Sequence, residues 1–318
     1  MPFLKNKPRC SNQGFDQSVG EKRIKVAVHD SKFHSDDVFS VAILSLYLNK
    51  PLKIFRTRDQ KILSKMDYVL DVGREYNPSK FKFDHHQEGW NEKRENGILY
   101  ATCGLLWKEY GTKITGSFEL AQKIDEKIIQ TIDAEDNGIE IYKNVIDGVT
   151  PYCVVDYISS LNPTWVEKEA DELQAFKKAV AEARIILKRE IKKSEDSLLG
   201  KKRIQEIYKK TEDKRILILD DDYSWKKTLS LYPEPLFVIK KYNDTKKWSI
   251  KAVPATGYKF KNRLNFPKSW AGKEGKKLIA ITGITDAVFC HNKQFICVAN
   301  SEKAAIELAK KAIELGTK

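Results

Sequence analysis

The sequence contains few cysteines and no long apolar run. Its five cysteines are scattered and form no CxxC pair, so neither a disulfide framework nor a structural zinc site is expected, and a reducing compartment fits best. The longest apolar stretch, residues 38–48, is interrupted by Ser40 and Ser45 and is shorter than the ~20 residues that a spanning helix requires. A transmembrane protein is therefore excluded, and we expect no membrane partner.

Acidic residues are too few to balance the basic ones in only the second half of the chain. Residues 1–160 hold 23 Lys+Arg and 23 Asp+Glu, whereas residues 161–318 hold 34 and 21, within a net charge of +13. This asymmetry predicts a basic half that binds a polyanion and a neutral half with another role. A lysine-rich solvated surface is the alternative explanation.

Short apolar runs alternate with helical periods from residue 24 onwards. Strands are predicted at 24–28, 52–55, 68–72 and 81–84, and helices at 37–48, 100–110 and 117–137, with the Asn137-Gly138 pair closing the last. This order is typical of βαβ units around a largely parallel sheet. A charged helical region follows at 164–211. Beyond it we predict strands at 215–219, 236–242, 248–253, 278–281, 287–290 and 294–298 and a helix at 301–315.

Histidines and aspartates cluster where predicted strands end. The segment from His29 to Asp37 holds two histidines and three aspartates directly after the first strand. Asp71 ends the third strand, and Asp84-His85-His86 follows the fourth. Because the carboxyl ends of parallel strands meet at one edge of a sheet, these side chains are expected in one pocket. Mixed imidazole and carboxylate groups suit a divalent ion such as Mn²⁺, with Mg²⁺ possible. Taken singly, each has a simpler explanation as a helix cap or a turn residue.

Another pair of carboxylates ends the predicted helix at 117–137. Asp133 and Asp136 lie three residues apart and therefore on one face. A solvated face would explain them, but the nearby Ile132 and Ile139 indicate that at least one carboxylate points inward.

Together these motifs carry a family resemblance. The order His34-x-Asp36, Asp71 and Asp84-His85-His86 resembles the DHH phosphoesterase superfamily. More narrowly, the chain resembles the MYG1 exonuclease family, also called UPF0160, from residue 29 to about 290. The matching motifs are His29, Phe33-His34-x-Asp36, Arg56-Thr57-Arg58-Asp59, Asp71-Val72-Gly73-x-Glu75-Tyr76-x-Pro78, Asp84-His85-His86-Gln87, Asp133-Ala134-x-Asp136-Asn137-Gly138, Leu161-Asn162-Pro163-Thr164-Trp165, Val253-Pro254 and Arg263-Leu264 with Trp270. Two features depart from the family: Asp30 and Lys32 are added to the first motif, and the segment after His291 lacks the family's glycines.

The resemblance implies a site with two divalent ions, Mn²⁺ favoured and Mg²⁺ possible, that activate a hydroxide. It implies Asp71, taken as the bridging carboxylate, His85 and His86 as catalytic residues, with His85 contacting phosphoryl oxygens or orienting a ligand. The implied metal ligands are His29, His34, Asp36, Asp71, His86 and Asp133. The residues expected to orient a ligand or to replace one are Asp84, Asp136 and Asp37.

Substrate contacts are expected from basic and aromatic residues. Arg56 and Arg58 follow the second strand, where a guanidinium can hold a phosphate bidentately, or they form a surface pair. Lysines and aromatic residues interleave at 240–248 and 258–263, a combination that binds single-stranded nucleic acid or protects an edge strand. The candidates in the second half are Lys247, Trp248, Arg263 and His291.

We therefore expect an α/β protein with a largely parallel DHH-type catalytic domain and a smaller α+β C-terminal domain, joined by a helical connector. The predicted boundaries are a loose arm at 1–22, a metal-binding catalytic domain at 23–162, a connector at 163–212 and a basic substrate-binding domain at 213–318. The compartment expected is the cytoplasm, or the mitochondrion or nucleus in a eukaryote.

The activity expected is 3′–5′ exonucleolysis of single-stranded RNA, or of DNA, with the polarity resting on the resemblance alone. One alternative keeps the metal site and hydrolyses a small substrate: a short oligonucleotide, a cyclic dinucleotide or pyrophosphate. Another is a non-catalytic nucleic-acid-binding protein with a structural ion. The sequence does not determine the oligomeric state.

Overall fold

The computed structural model describes residues 23–242, 245–255 and 261–316. Within the chain, Met1–Ile191 and Lys192–Lys318 form two compact units. The predicted arm at 1–22 and residues 258–260 of the second lysine-aromatic motif lie outside the described residues. The four-part division of the chain stays a prediction.

A wholly parallel four-stranded sheet, in the order β2-β1-β3-β4, organises the first unit. Its strands are β1 (Ile24–Val28), β2 (Leu52–Arg56), β3 (Tyr68–Leu70) and β4 (Lys82–Phe83). The helices of this part are α1 (Ser35–Leu48), α2 (Gln60–Leu63), α3 (Thr102–Thr115), α4 (Phe118–Ile124), α5 (Gln130–Asp136) and α6 (Val154–Ser159). The parallel sheet predicted for this half is thus confirmed.

Helix α1 is the central helix of the first unit and is buried from Ser35 to Leu44. Its start is fixed at His34, whose backbone N–H donates to the Asp37 carboxylate at 2.9 Å. Its end is a left-handed residue, Asn49, with φ of 48°. The burial of this helix explains why its sequence is largely apolar from Val38 to Leu48, with only Ser40 and Ser45 interrupting the run.

The predicted helix at 117–137 is confirmed as a continuous helical run that contains one irregular turn. Helices α4 and α5 are joined by a π-helical turn at Asp125–Ile129, a feature often found beside functional sites. The predicted stop after it is confirmed, since α5 ends at Asp136 and Gly138 has a φ of 67°. Asp133 and Asp136 lie in α5, directly after this turn.

The long helix α7 (Glu172–Lys210) has residues in both units, and a mixed five-stranded sheet organises the second. The sheet order is β5-β6-β7-β9-β8, with β5 and β6 parallel and the remaining pairs antiparallel. Its elements are β5 (Ile216–Leu219), α8 (Lys226–Leu229), β6 (Phe237–Lys241), β7 (Trp248–Ala252), α9 (Gly275–Thr282), β8 (Ala287–Cys290), β9 (Ile296–Ala299) and α10 (Glu302–Gly316).

The strand predicted at 278–281 is wrong, because this segment belongs to α9. Leu278 and Thr282 are buried while Ile281 is exposed, which is the i, i+4 spacing of a helix rather than the alternation of a strand. Gly283, with a φ of 70°, caps the helix. A short apolar run does not distinguish the two elements by its period alone.

None of the helices at 23–242, 245–255 and 261–316 is both long enough and apolar enough to cross a membrane.

Candidate metal centre

The carboxyl ends of three parallel strands carry the residues of this site. His29 follows β1, Asp71 follows β3, and Asp84-His85-His86 follows β4. The Asp71 backbone is left-handed, with φ of 55°, and its N–H donates to the carbonyl of Phe83 at 2.8 Å. Such a conformation is unfavourable for most residues and is tolerated best by Asp and Asn. The sheet therefore fixes the Asp71 carboxylate at its edge, through a backbone conformation that most residues avoid.

The tautomer of His29 follows from its neighbours. Its Nδ1 lies 2.6 Å from the carbonyl oxygen of Asp30 and must donate a proton, so Nε2 is the acceptor of a neutral ring. Burial favours that neutral ring by lowering the His29 pKa. Nε2 lies 3.3 Å from Asp37 Oδ2 and 3.5 Å from Asp71 Oδ2. Two carboxylate oxygens thus lie close to the unprotonated ring nitrogen, and within the described part of the chain neither His29 Nε2 nor Asp37 Oδ2 has a hydrogen-bond donor.

Asp36 is held by the start of α3. Its carboxylate accepts from the backbone N–H of Thr102 at 3.2 Å and of Cys103 at 2.6 Å, where the helix dipole favours a negative charge. Burial and the nearby carboxylates nevertheless hold the pKa values of Asp36 and Asp71 well above their ordinary range. Burial also raises the pKa of Asp37 to about 8. The negative charges of these carboxylates are therefore unfavourable unless a cation is bound beside them.

His85 lies at the centre of a second group. Its Nε2 is 3.1 Å from Asp136 Oδ2, and its Nδ1 is 3.7 Å from Asp71 Oδ1, 4.0 Å from Asp36 Oδ2 and 3.2 Å from the Thr102 hydroxyl. The His85 side chain is 8% exposed. Asp71 therefore presents one oxygen to the His29 group and the other to the His85 group.

His86 lies beside this group but points partly to solvent, with 56% of its side chain exposed. Its Nδ1 is 2.8 Å from Asp84 Oδ1 and 3.4 Å from Asp71 Oδ1. The hydrogen bond to Asp84 raises the pKa of His86. Burial disfavours the Asp84 charge, but hydrogen bonds from His86 and from the Arg74 N–H outweigh it and lower the Asp84 pKa. Asp84 thus orients His86 and favours its protonated form.

Asp133 faces a cation that the chain itself supplies. Its Oδ2 lies 2.6 Å from Arg94 Nη1, out of line for a hydrogen bond, so the contact is an ion pair. Its Oδ1 accepts from the Gly104 N–H at 2.9 Å. A Cβ on Gly104 would lie 1.8 Å from Oδ2, so only glycine allows this approach. Burial raises the Asp133 pKa to about 7 against the pull of Arg94. Asp133 and Asp36 still lie close enough, with Cys103, to form a third potential ligand group.

The donor set fits a divalent transition ion. An imidazole nitrogen and carboxylate oxygens converge at the His29 group. Carboxylates suit Mn²⁺ and Mg²⁺, whereas imidazole suits transition ions, so the mixed set fits Mn²⁺ better than Mg²⁺. The structure brings His29, Asp36, Asp71 and His86 together, as predicted from the sequence. His34, by contrast, is exposed at the start of α1, with its ring centroid 5.3 Å from that of His29.

Comparison with known sequences assigns the family. The sequence profile described as "Uncharacterised protein family (UPF0160)", which represents the MYG1 exonucleases, matches residues 25–313. The chain belongs to the MYG1 exonuclease family. It is 30% identical over 320 residues to a MYG1 protein of Schizosaccharomyces pombe, covering 92% of this chain and 98% of that protein. It is 25% identical over 321 residues to the MYG1 exonuclease of Homo sapiens, covering 90% and 85%. The resemblance seen in the sequence is thereby confirmed.

Within this MYG1-family fold, the two predicted phosphate-binding arginines differ. The Arg56 side chain is 7% exposed, donates to the Ser31 carbonyl and lies 3.4 Å from Glu172 Oε2. The Arg58 side chain is 62% exposed, with its Nε 3.0 Å from Asp30 Oδ1. Arg58 is therefore accessible near the first strand end, whereas Arg56 is largely committed to internal contacts.

The four predicted substrate-binding residues of the second unit also differ in how exposed their side chains are. Arg263 donates to three backbone carbonyls, those of Tyr232 at 2.6 Å, Pro235 at 3.0 Å and Leu229 at 3.2 Å. Trp248 packs against the core of the unit, and His291 accepts from the Lys293 N–H at 3.1 Å. Lys247 is exposed. Among these four residues, Lys247 is the one whose side chain is fully at the surface.

Replacing Arg263 with alanine is expected to destabilise the second unit rather than to weaken substrate binding. The carbonyls of Tyr232 and Pro235 lose the Arg263 donor, whereas the Leu229 carbonyl keeps the Tyr232 N–H. The expected cost is on the order of 2 kcal/mol in the free energy of unfolding. Thermal melts of Arg263→Ala, compared with Lys247→Ala, measure this effect. An Arg263→Ala chain with unchanged stability and weakened nucleic-acid binding would instead support the role predicted from the sequence.

Several groups at the centre were missed by sequence reasoning. Thr102 touches both Asp71 and His85, and Arg94 neutralises Asp133. Neither residue follows a strand of the sheet, so the rule that located the other groups does not reach them. The one signal for the Asp36 contact was the start of a helix near residue 102. The sequence predicted that start at residue 100 but did not indicate that Asp36 would accept its backbone N–H groups.

Proposed function

We propose that this chain is a metal-dependent phosphodiester hydrolase, and specifically a 3′–5′ exonuclease of single-stranded RNA. The observation that carries the proposal is the buried His29 Nε2, which lies 3.3 Å from Asp37 Oδ2 and 3.5 Å from Asp71 Oδ2. Among the residues that the structure describes, neither His29 Nε2 nor Asp37 Oδ2 has a hydrogen-bond donor. A divalent cation bound between these groups would neutralise the carboxylates and use the free imidazole nitrogen. Membership of a family whose mammalian members are named exonucleases supports hydrolysis of nucleic acid.

The geometry favours a revised ligand set. His29, Asp37 and Asp71 would hold one ion, and Asp36, Asp71, His85 and Asp136 would hold the other. Relative to the sequence prediction, Asp37, His85 and Asp136 would take the places of His34, His86 and Asp133. His86 lies close enough to Asp71, Asp84 and His85 to belong to a potential ligand group, but its side chain is 56% exposed and is assigned to the substrate instead. Asp71 keeps the bridging role, because its two oxygens face the two groups.

When bound, two such ions supply a hydroxide near neutral pH and neutralise charge on a phosphoryl group. The residues of the chain do the remaining work. The Asp30 carbonyl fixes the tautomer that leaves His29 Nε2 free. His86, exposed and favoured in its protonated form by Asp84, is placed to hold a proton for the leaving oxygen or to contact the phosphoryl group.

A nuclease assay tests the activity. Single-stranded RNA labelled at either end is incubated with the protein and Mn²⁺ or Mg²⁺, in parallel with DNA of the same sequence. Stepwise shortening from the 3′ end of RNA is the expected result. Loss of a mononucleotide from the 5′ end would correct the polarity, equal cleavage of DNA would correct the preference, and no cleavage of either strand contradicts the exonuclease assignment.

Divalent ions are expected to stabilise the native chain. Binding at a hundred times the dissociation constant adds ~2.7 kcal/mol to the free energy of unfolding, which corresponds to a rise of about 5–10 °C in Tm for a unit of this size. Calorimetry with Mn²⁺ or with a chelator measures the rise, and Asp71→Asn serves as the comparison. An equal rise in both proteins would place the ions elsewhere.

A small-substrate phosphoesterase is the second candidate, and the second unit supplies the observation that favours it. Arg263 is bonded to backbone carbonyls and Trp248 is partly buried against the core of that unit, which leaves less of these two groups to grip a long strand. If hydrolysis rates do not change between dinucleotides and long strands, and binding shows little salt dependence, this candidate replaces the exonuclease.

A further inference from the structure

A cleft of about 250 Å³ lies beside the loop that connects His29 to His34. One side of it is formed by Ser31, Lys32 and Phe33, and the other by the segment from Asn162 to Lys168. The Asn162 side chain joins the two sides: Oδ1 accepts from the Phe33 N–H at 3.0 Å, and Nδ2 donates to the Phe33 carbonyl at 2.9 Å. The cleft is thus built on the same loop that carries His29.

Arg56 forms a fixed, cationic part of this cleft. Its guanidinium carbon lies 5.7 Å from the Phe33 ring and 5.2 Å from the Phe176 ring, with Ser31 and Glu172 as polar partners. Its Nε is buried and has no hydrogen-bond partner in the part of the chain that the structure describes. A preorganised cation with an unused donor favours an anionic or strongly accepting ligand.

Trp165 makes the cleft suitable for an aromatic ligand. Its side chain is 86% exposed, although tryptophan is usually largely buried. Lys32 and Lys168 line the same cleft, and neither ammonium forms an ion pair with any residue at 23–242, 245–255 or 261–316. The Glu167 carboxylate is already used, since it accepts from the Thr164 N–H at 2.7 Å. An exposed indole between two unpaired lysines is the combination that binds single-stranded nucleic acid.

We propose that this cleft binds one nucleotide of the substrate strand, with its base stacked on Trp165 and with Lys32 and Lys168 contacting the adjoining phosphates. The proposal deepens the function proposed above and rests on it. Because Ser31–Phe33 and His29 belong to one loop, a base held in the cleft fixes where the strand enters the candidate metal centre.

Binding of single-stranded RNA tests the proposal without requiring hydrolysis. In the Asp71→Asn background, anisotropy of a labelled strand gives the dissociation constant for the parent, Trp165→Ala and Trp165→Phe. Loss of one base stack, ~1–3 kcal/mol, corresponds to about 5- to 150-fold weaker binding for Trp165→Ala. Trp165→Phe should recover most of the affinity. Val166→Ala, at a neighbouring position that is 65% exposed, is the matched control and should bind as the parent does.

Strands with a single abasic residue at successive positions identify the partner of the indole. At one position, removing the base and removing the indole should not be additive, because each deletes the same stack. Additive effects at every position, undiminished binding by Trp165→Ala, or no binding by the parent would overturn the proposal. If the native protein leaves RNA intact while the non-additive position is found, the exonuclease function fails and the binding site stands. If RNA is hydrolysed and the indole has no effect, only the binding site fails.

Discussion

Asp71→Asn is expected to lower the hydrolysis rate by about 10³-fold or more while leaving the chain folded. One carboxylate oxygen of Asp71 lies 3.5 Å from His29 Nε2, and the other lies 3.4 Å from His86 Nδ1 and 3.7 Å from His85 Nδ1. An amide replaces one of these oxygens with a nitrogen that carries hydrogens and cannot act as a ligand. The change therefore removes both the charge and the bridge.

The fold should tolerate this substitution. Asn adopts the left-handed backbone of Asp71, φ of 55°, as readily as Asp does. The raised pKa of Asp71 shows that its charge is unfavourable among the buried carboxylates, so its loss does not reduce the free energy of unfolding at neutral pH. Initial rates on labelled RNA, with circular dichroism melts in chelator, measure both properties. Glu95→Gln, an exposed carboxylate of the same unit, is the matched control. A folded Asp71→Asn protein that keeps a tenth of the native rate would contradict the bridging role.

The position of the candidate site was predictable because it depends on topology. Once the alternation of strands and helices indicated a parallel sheet, residues after different strands had to meet at one edge. His29, Asp71 and Asp84 do follow β1, β3 and β4. Their types and positions are written in the sequence, and no side-chain detail was needed to bring them together.

The choice between neighbouring residues was not predictable in the same way. Asp36 and Asp37 are adjacent, and the fold directs them to opposite tasks: Asp36 accepts two N–H groups of α3, and Asp37 faces His29. The difference depends on the rotation of α1 relative to β1 and α3, which is set by tertiary packing. Likewise, a count of lysines and arginines located the charge of the second half but did not reveal that the Arg263 guanidinium serves three backbone carbonyls.

Substitutions of the two adjacent histidines, His85 and His86, are expected to differ most in the number of metal ions that the variants bind. His85→Asn is expected to lower the number of bound Mn²⁺ ions from two to one and to lower the hydrolysis rate at least about 100-fold. Its ring is 8% exposed and lies between Asp136, Asp71 and Asp36. His86→Asn should retain both ions, because His86 is 56% exposed and its Nδ1 is engaged by Asp84 at 2.8 Å. Its rate should still fall by about 10²-fold if the ring supplies a proton.

Metal stoichiometry distinguishes the two roles where activity alone does not. Both variants hydrolyse slowly under this assignment, so the deciding measurement is titration calorimetry with Mn²⁺ on each folded variant. His85→Gln, which preserves more side-chain volume, keeps the comparison valid if the asparagine variant does not fold. Loss of an ion from His86→Asn with two ions retained by both His85 variants would restore the ligand assignment made from the sequence. We expect the His85 variants to bind one ion and His86→Asn to bind two. The reason is burial: the enclosed imidazole of His85 is surrounded by carboxylates, and the exposed imidazole of His86 is free to contact the substrate.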